Sequence, residues 1–311
     1  KAEQARTIAI GAGSLSSKTC AIAIGQFSKA IAVNATAVGT NVTVSGNNGI
    51  AIGSEANAGG ENSTGVGTFA AANGNWSSAY GTSANASGGA AIAFGAGSVS
   101  SGIGSIVLGT NASGTANNSI VVGTAAEASA ANAIAIGIEA VSNKINTTAV
   151  GTLSKATGNY SSAYGTLANA NGGGSMAFGA GSLATGAGSI AHGVNSTATA
   201  INAVVFGTEA GALAEDATAI GYSAVALGVD STAIGKSSSA SKLNATALGA
   251  ESKATGISST ALGDAANASA LQAIAIGASA RSSDQNSIAI GFSANASAND
   301  SIAIGYQSNS K

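Results

Sequence analysis

Residues 286–305 read N-S-I-A-I-G-F-S-A-N-A-S-A-N-D-S-I-A-I-G, and the hexapeptide Asn286–Gly291 returns as Asp300–Gly305 after 14 positions. Extending that step backward from Gly305 reaches Gly11 with a Gly at every stop, 22 in all, and with no insertion or deletion. A fixed period of this kind means that each unit is one supersecondary element stacked on its neighbours.

The columns of the repeat carry the secondary structure. One before the Gly sits Ile24, Val38, Ile136, Ile290 or Ile304, and the column is large in every unit, with His192 the one polar member. Two before is small, mostly Ala. Three before is Ile, Val, Thr, Ser or Met176. Large and small residues alternate, which is the period of a strand, and β-branched residues dominate the large column. Three after the Gly is Ala or Ser in 21 of 22 units, and five after is again small, marking a second short strand. Five before is Asn in nine units, Asp in three and Gly in three, the residues that tolerate a left-handed corner. None of the 24 charged side chains falls from four before the Gly to the Gly, nor three or five after it. Charge is thereby kept off the positions that need burial.

Two strands and two corners in 14 residues make one coil of a parallel β-solenoid. Stacked about 4.8 Å apart, 22 coils would give an all-β rod roughly 100 Å long. In this reading the Ile columns one and three before the Gly fill the roll, opposite Ala and Ser of the second strand. The Ala column two before the Gly then points outward as an apolar stripe, too large for a monomer to leave exposed, and is covered by side-by-side packing. Ile24, Gly25, Ile136, Gly137, Ile290, Gly291, Ile304 and Gly305 represent the positions that fix coil and assembly.

Composition narrows the classes further. The chain has 311 residues with 73 Ala, 45 Gly, no Pro and only 8% charged positions, which argues against disorder and against collagen. No run of 18 apolar residues exists to cross a membrane as a helix. A net charge of −2 without a basic patch argues against nucleic acid as a partner. One Cys, Cys20, excludes an intrachain disulfide.

The units Asn286–Gly291, Asp300–Gly305, Asn118–Gly123 and Asn132–Gly137, each followed by Ala or Ser three after the Gly, resemble the NSVAIG-x-x-S motif of YadA-like heads. The resemblance covers essentially the whole chain. It implies a left-handed parallel β-roll, homotrimeric assembly, and display on a Gram-negative cell surface on a stalk with an outer-membrane anchor. Stalk heptads, a basic neck and barrel strands are missing from residues 1–311, so the expectation is a single head domain. Residues 64–137 also align with 148–221 at an offset of 84, including Asn75–Gly81 with Asn159–Gly165, which points to duplication of six coils.

Catalytic groups are scarce. His192 is expected as an interior or interface side chain, and Cys20 as an inert corner residue far from it. Glu215 and Asp216 read as solvated corner charges. Gly172–Gly174 lacks the following helix of a phosphate loop. An enzyme, a metal site and a cofactor are therefore not expected. Trp76 and Tyr160 replace the corner Asn, and Tyr222, Phe292 and Tyr306 follow their Gly directly, so all five are candidate ligand contacts; Phe27 and Phe69 add to an exposed scattered set. These features suit weak, many-point adhesion to matrix, cells or abiotic surfaces. Two alternatives stand beside it. One is a passive spacer in a longer fibre. The other is an ice-binding lattice built on Thr36, Thr64, Thr148, Thr218, Thr232, Thr246 and Thr260, a partial ladder placed by this reading in the inward column.

Overall fold

The computed structural model describes residues 1–311 and contains only strands and turns. It is a parallel β-solenoid of about 22 turns of 14 residues, with two compact units, Lys1–Ser154 and Lys155–Lys311. In the first unit three-residue strands run from Ile8–Ile10 to Thr148–Val150, alternating with two-residue strands from Leu15–Ser16 to Val141–Ser142. In the second they run from Ser162–Tyr164 to Ile302–Ile304, with two-residue strands from Lys155–Ala156 to Asn309–Ser310. Pairing is parallel and offset by one period throughout each unit, as in Ile8↔Ile22 and Ile288↔Ile302. The backbone therefore bonds from coil to coil, which is why a chain without Pro suits it.

Both corners are tight turns closed by a bond three residues back, such as Ser77 N–H to the Gly74 carbonyl and Ala84 N–H to the Gly81 carbonyl, 3.2 Å each. The third residue of each turn has positive φ, as a type II turn requires. The Asn-rich column five before the Gly is one of these places, as its composition indicates. The other is two after the Gly, where Phe27, Glu55, Leu153 and Leu167 adopt φ of 57°, 56°, 58° and 60°. The residues give little sign of that second column, because Gly or Asn holds only six of its 22 places and the rest do not favour left-handed backbone.

The repeat Gly is explained by close approach. Gly165 has φ +131°, and a Cβ there would lie 2.6 Å from the Gly179 carbonyl group of the next coil. No rotamer relieves a clash between two backbones, so the column admits nothing larger.

The core inverts the expected facing of the long strand. Ala23, Ala37, Ala79, Ala135, Ala177, Ala233 and Ala289, all two before the Gly, are fully buried. Ser, Ala and Thr four before the Gly, and the small residues three and five after it, complete the interior. Ile24, Ile136 and Ile304, one before, are exposed, as are Ile50 and Ile92, three before. The roll is filled by methyl groups and hydroxyls, and Val42, Val44, Val107, Val121 and Val205 head its fully buried side chains by size. Even these need compensation. A Cβ on Gly114 would come 2.7 Å from Val107, and one on Gly49 would come 2.8 Å from Val44. Opposite walls this close leave no space for two Ile side chains. Buried hydroxyls three after the Gly bond back to its carbonyl, as Ser98 does to Gly95 and Ser154 to Gly151, 2.8 Å each. That local bond satisfies the hydroxyl without a partner across the core.

Candidate functional site

Two surfaces concentrate side chains that the fold does not consume. The first is the outer face of the long-strand sheet in each unit. There the large columns, one and three before the Gly, stand side by side up each stack of coils, and over about 50 Å they form an apolar stripe of several hundred Å² or more. In the first unit Tyr80 and Phe94 meet on it at 5.9 Å. In the second, Tyr164, Phe178, His192 and Phe206 form a four-ring column with successive centroids 4.9, 5.8 and 5.4 Å apart. His192 is thus an exposed member of an aromatic ladder, not an interior side chain. The Thr residues three before the Gly also face outward, against expectation, and Thr218, Thr232, Thr246 and Thr260 pair in register over four consecutive coils.

The second surface is the row of corners. In the first unit Asn34, Asn48 and Asn62 are linked by side-chain amide bonds of 2.9 and 3.0 Å, and Asn118, Asn132 and Asn146 by bonds of 3.3 and 2.9 Å. In the second unit Asn202 donates to Asp216 at 3.0 Å and Asn286 to Asp300 at 2.9 Å. Trp76 interrupts the first row and is 66% exposed; Tyr160 interrupts the second and is 67% exposed. Both are left-handed, with φ of 63° and 60°. Of the other aromatic candidates, Tyr222 is exposed alone, while Phe292 and Tyr306 stack on each other at 5.4 Å. Phe27 and Phe69 are exposed in the other corner column.

The corners are electrostatically quiet. The single ion pair, Lys1 to Glu3 at 2.7 Å, lies at the first coil, where the Lys1 ammonium holds the Glu3 carboxyl below its ordinary range. Glu215 and Asp216 are exposed, and Cys20 is a free thiol at a left-handed corner. No cluster of three or more His, Cys, Asp or Glu that could hold a metal is present, and no pocket indents the surface.

The model of the YadA head domain repeat (2 copies) matches residues 16–41, 45–70, 86–112, 115–140, 142–168 and 170–196, overlapping windows from 184 to 252, and then 254–280 and 283–308. The chain belongs to the YadA head family. Among solved structures, the collagen-binding domain of the Yersinia adhesin YadA is similar at 18% identity, over 57% of this chain and 82% of that one, with a TM-score of 0.22. Among curated proteins there is no match. YadA heads are a structural and adhesive class, so an adhesin-type function is what membership gives this chain. The columns of the YadA head repeat that sequence reasoning set inside the roll are its outward face. The Tyr and Phe residues one before the Gly were the available sign, being far too bulky for a core of Ala and Ser.

Proposed function

We propose that this chain is the head of a homotrimeric adhesin displayed on a Gram-negative cell surface. Three copies pack through the long-strand sheets, and the corners remain free to contact host matrix, cells, other bacteria or abiotic surfaces. The observation that supports this reading is the outward apolar stripe. A lone chain would leave Ile, Val, Leu and aromatic side chains in water at coil after coil, well beyond the patch a monomer tolerates. Packing about a threefold axis covers a straight stripe identically in every copy. Attachment to the membrane would come through an anchor outside residues 1–311, in keeping with the family.

Contact through Trp76, Tyr160, Tyr222, Phe292 and Tyr306 would be individually weak. Presented in triplicate, such contacts gain strength from effective concentration. Sedimentation equilibrium of the purified chain tests assembly: the expected mass is three times 28.9 kDa, and a monomer refutes it. Side-by-side binding to collagen, fibronectin, laminin and bare plastic tests adhesion, and no retention on any of them, or on cells, favours a passive spacer.

One observation favours a second reading. The outward Thr run from Thr218 to Thr260 is a hydroxyl and methyl row in strict register, as a lattice-matching surface needs. Thermal hysteresis of the chain, if measured, would support ice binding over adhesion.

A further inference from the structure

Among the residues six before the repeat Gly, only two are glycines, Gly89 and Gly173. Each lies in the coil that directly follows an aromatic corner, Gly89 after Trp76 and Gly173 after Tyr160. The fold does not require either. Their φ values lie outside the left-handed region, and a Cβ at Gly89 would find its nearest atom, the Asn75 carbonyl oxygen, at 4.0 Å. At Gly173 the nearest atom is the Asn159 carbonyl oxygen, at 3.9 Å. Their neighbours Gly88 and Gly172 differ, since a Cβ there would strike the backbone of Gly102 and Gly186. The same column accepts Ile103, Glu61 and Leu243 elsewhere. What Gly89 and Gly173 do is leave peptide without a side chain one coil on from an exposed aromatic corner.

That peptide has an unused donor. The Gly89 carbonyl accepts from Gly104 N–H at 2.9 Å and the Gly173 carbonyl from Gly188 N–H at 2.8 Å, but neither Gly N–H has a partner in the chain. At three corners the equivalent amide is capped by an Asn of the next coil, Val33 by Asn47, Glu61 by Asn75 and Ile103 by Asn117. At most of the others the amide is as open as at Gly89 and Gly173, but a side chain stands over it there. Asn75 caps Glu61 in this way through Oδ1 at 3.0 Å, which leaves its Nδ2 free. The charges near the two sites have opposite sign: Glu61 precedes Trp76, and Lys144 precedes Tyr160. A ligand that suits both must be neutral, flat enough to lie on a ring, and rich in hydrogen-bonding groups.

We propose that these corners are saccharide-binding platforms. The Trp76 or Tyr160 ring lies against the C–H face of a neutral sugar, while the Gly89 or Gly173 N–H and the Asn75 or Asn159 amide bond its hydroxyls. The proposal rests on the adhesion reading and names the chemistry of its ligand. A proline-rich peptide would also cover an aromatic ring, and its carbonyls would accept from the same N–H donors, so it is the competing ligand in the test.

Trp76 is the only Trp, so its fluorescence reports on the first site directly. The full chain is titrated with cellohexaose, chitohexaose and a (Pro-Hyp-Gly)10 peptide, and spread on an array of neutral and acidic glycans. Saturable quenching or a blue shift with a neutral oligosaccharide is expected. Gly89→Val, which fills the shelf without crowding the backbone, should weaken it by about tenfold or more while the thermal melt stays unchanged. Trp76→Ala with Tyr160→Ala should abolish neutral-glycan binding on the array. No response to any neutral saccharide, an undiminished response in Gly89→Val, or a response to the peptide alone overturns the proposal. Retention of the same preparations on cells and plastic separates the two readings: wild type that adheres but ignores saccharides sinks this inference only, whereas wild type that adheres to nothing sinks the adhesion reading.

Discussion

Tyr164 and Phe178 lie face to face on the outside of the roll, ring centroids 4.9 Å apart and planes 3° from parallel. They occupy one column of adjacent coils, and the spacing of the rings is the spacing of the strands beneath them. Ala163 and Ala177, one residue earlier in each strand, are sealed in the core. Neighbouring residues thus serve opposite faces, and their substitution should have opposite consequences.

A charge on the outer column should break assembly while sparing the coil. Phe178→Asp and Ile136→Asp place a carboxylate on the apolar stripe that three copies would bury. The trimer is expected to fall apart in sedimentation equilibrium, with the strand signal in circular dichroism retained. A trimer that persists would mean the stripe is not the contact surface.

Enlarging the inner column should do the reverse. Ala177→Leu and Ala135→Leu add three carbons to sites with no exposure and close walls. Overpacking of this kind costs about 1–3 kcal/mol, and more where the backbone is pinned by coils above and below. The midpoint of chemical denaturation is expected to fall. An unchanged midpoint would contradict the inward placement of these Ala residues.

Glycines of two kinds should respond differently. Gly165→Ala forces a Cβ within 2.6 Å of the Gly179 carbonyl group at φ +131°, and is expected to destabilise the second unit by roughly 1–3 kcal/mol. Gly173→Ala meets nothing nearer than 3.9 Å and should lie within about 0.5 kcal/mol of wild type. Comparing their melting curves checks both statements together.

The Asn ladder tests the corner. Asn132 bridges Asn118 and Asn146 through its side-chain amide and holds φ of 57°. Asn132→Ala removes both exposed bonds and puts a less tolerant residue in the left-handed region, for a loss of about 1 kcal/mol. Asn132→Gly loses the same bonds but not the backbone fit, so hydrogen-exchange protection of neighbouring amides should stay closer to wild type than in Asn132→Ala.

Much of this molecule is legible in its repeat. The 14-residue step from Gly11 to Gly305 fixes the number of coils, because a backbone that hydrogen-bonds to its neighbour one period away cannot drift in register. The Asn, Asp and Gly residues five before the repeat Gly announce a left-handed corner, because few other residues reach that conformation cheaply. Charge is absent from the buried columns two before and three and five after the Gly, but equally from the outward columns one and three before it, so its absence does not tell the two faces apart. The exposed Trp76 follows from its place in a corner column, although its shelf does not. Gly89 looks like one more glycine until the space around it is known.

What the residues alone left open is the facing of the long strand. Strand alternation separates Ile288 and Ile290 from Ala289, but it is symmetric about the sheet and both sets are apolar. Hydrophobicity favours Ile as the buried partner. The tertiary structure decides otherwise, through one distance. A circuit closed by strands of three and two residues brings its walls together until Val107 needs Gly114 opposite it. Only Gly, Ala, Ser and an occasional Val or Thr fit between them, and the larger side chains are displaced to the outer face.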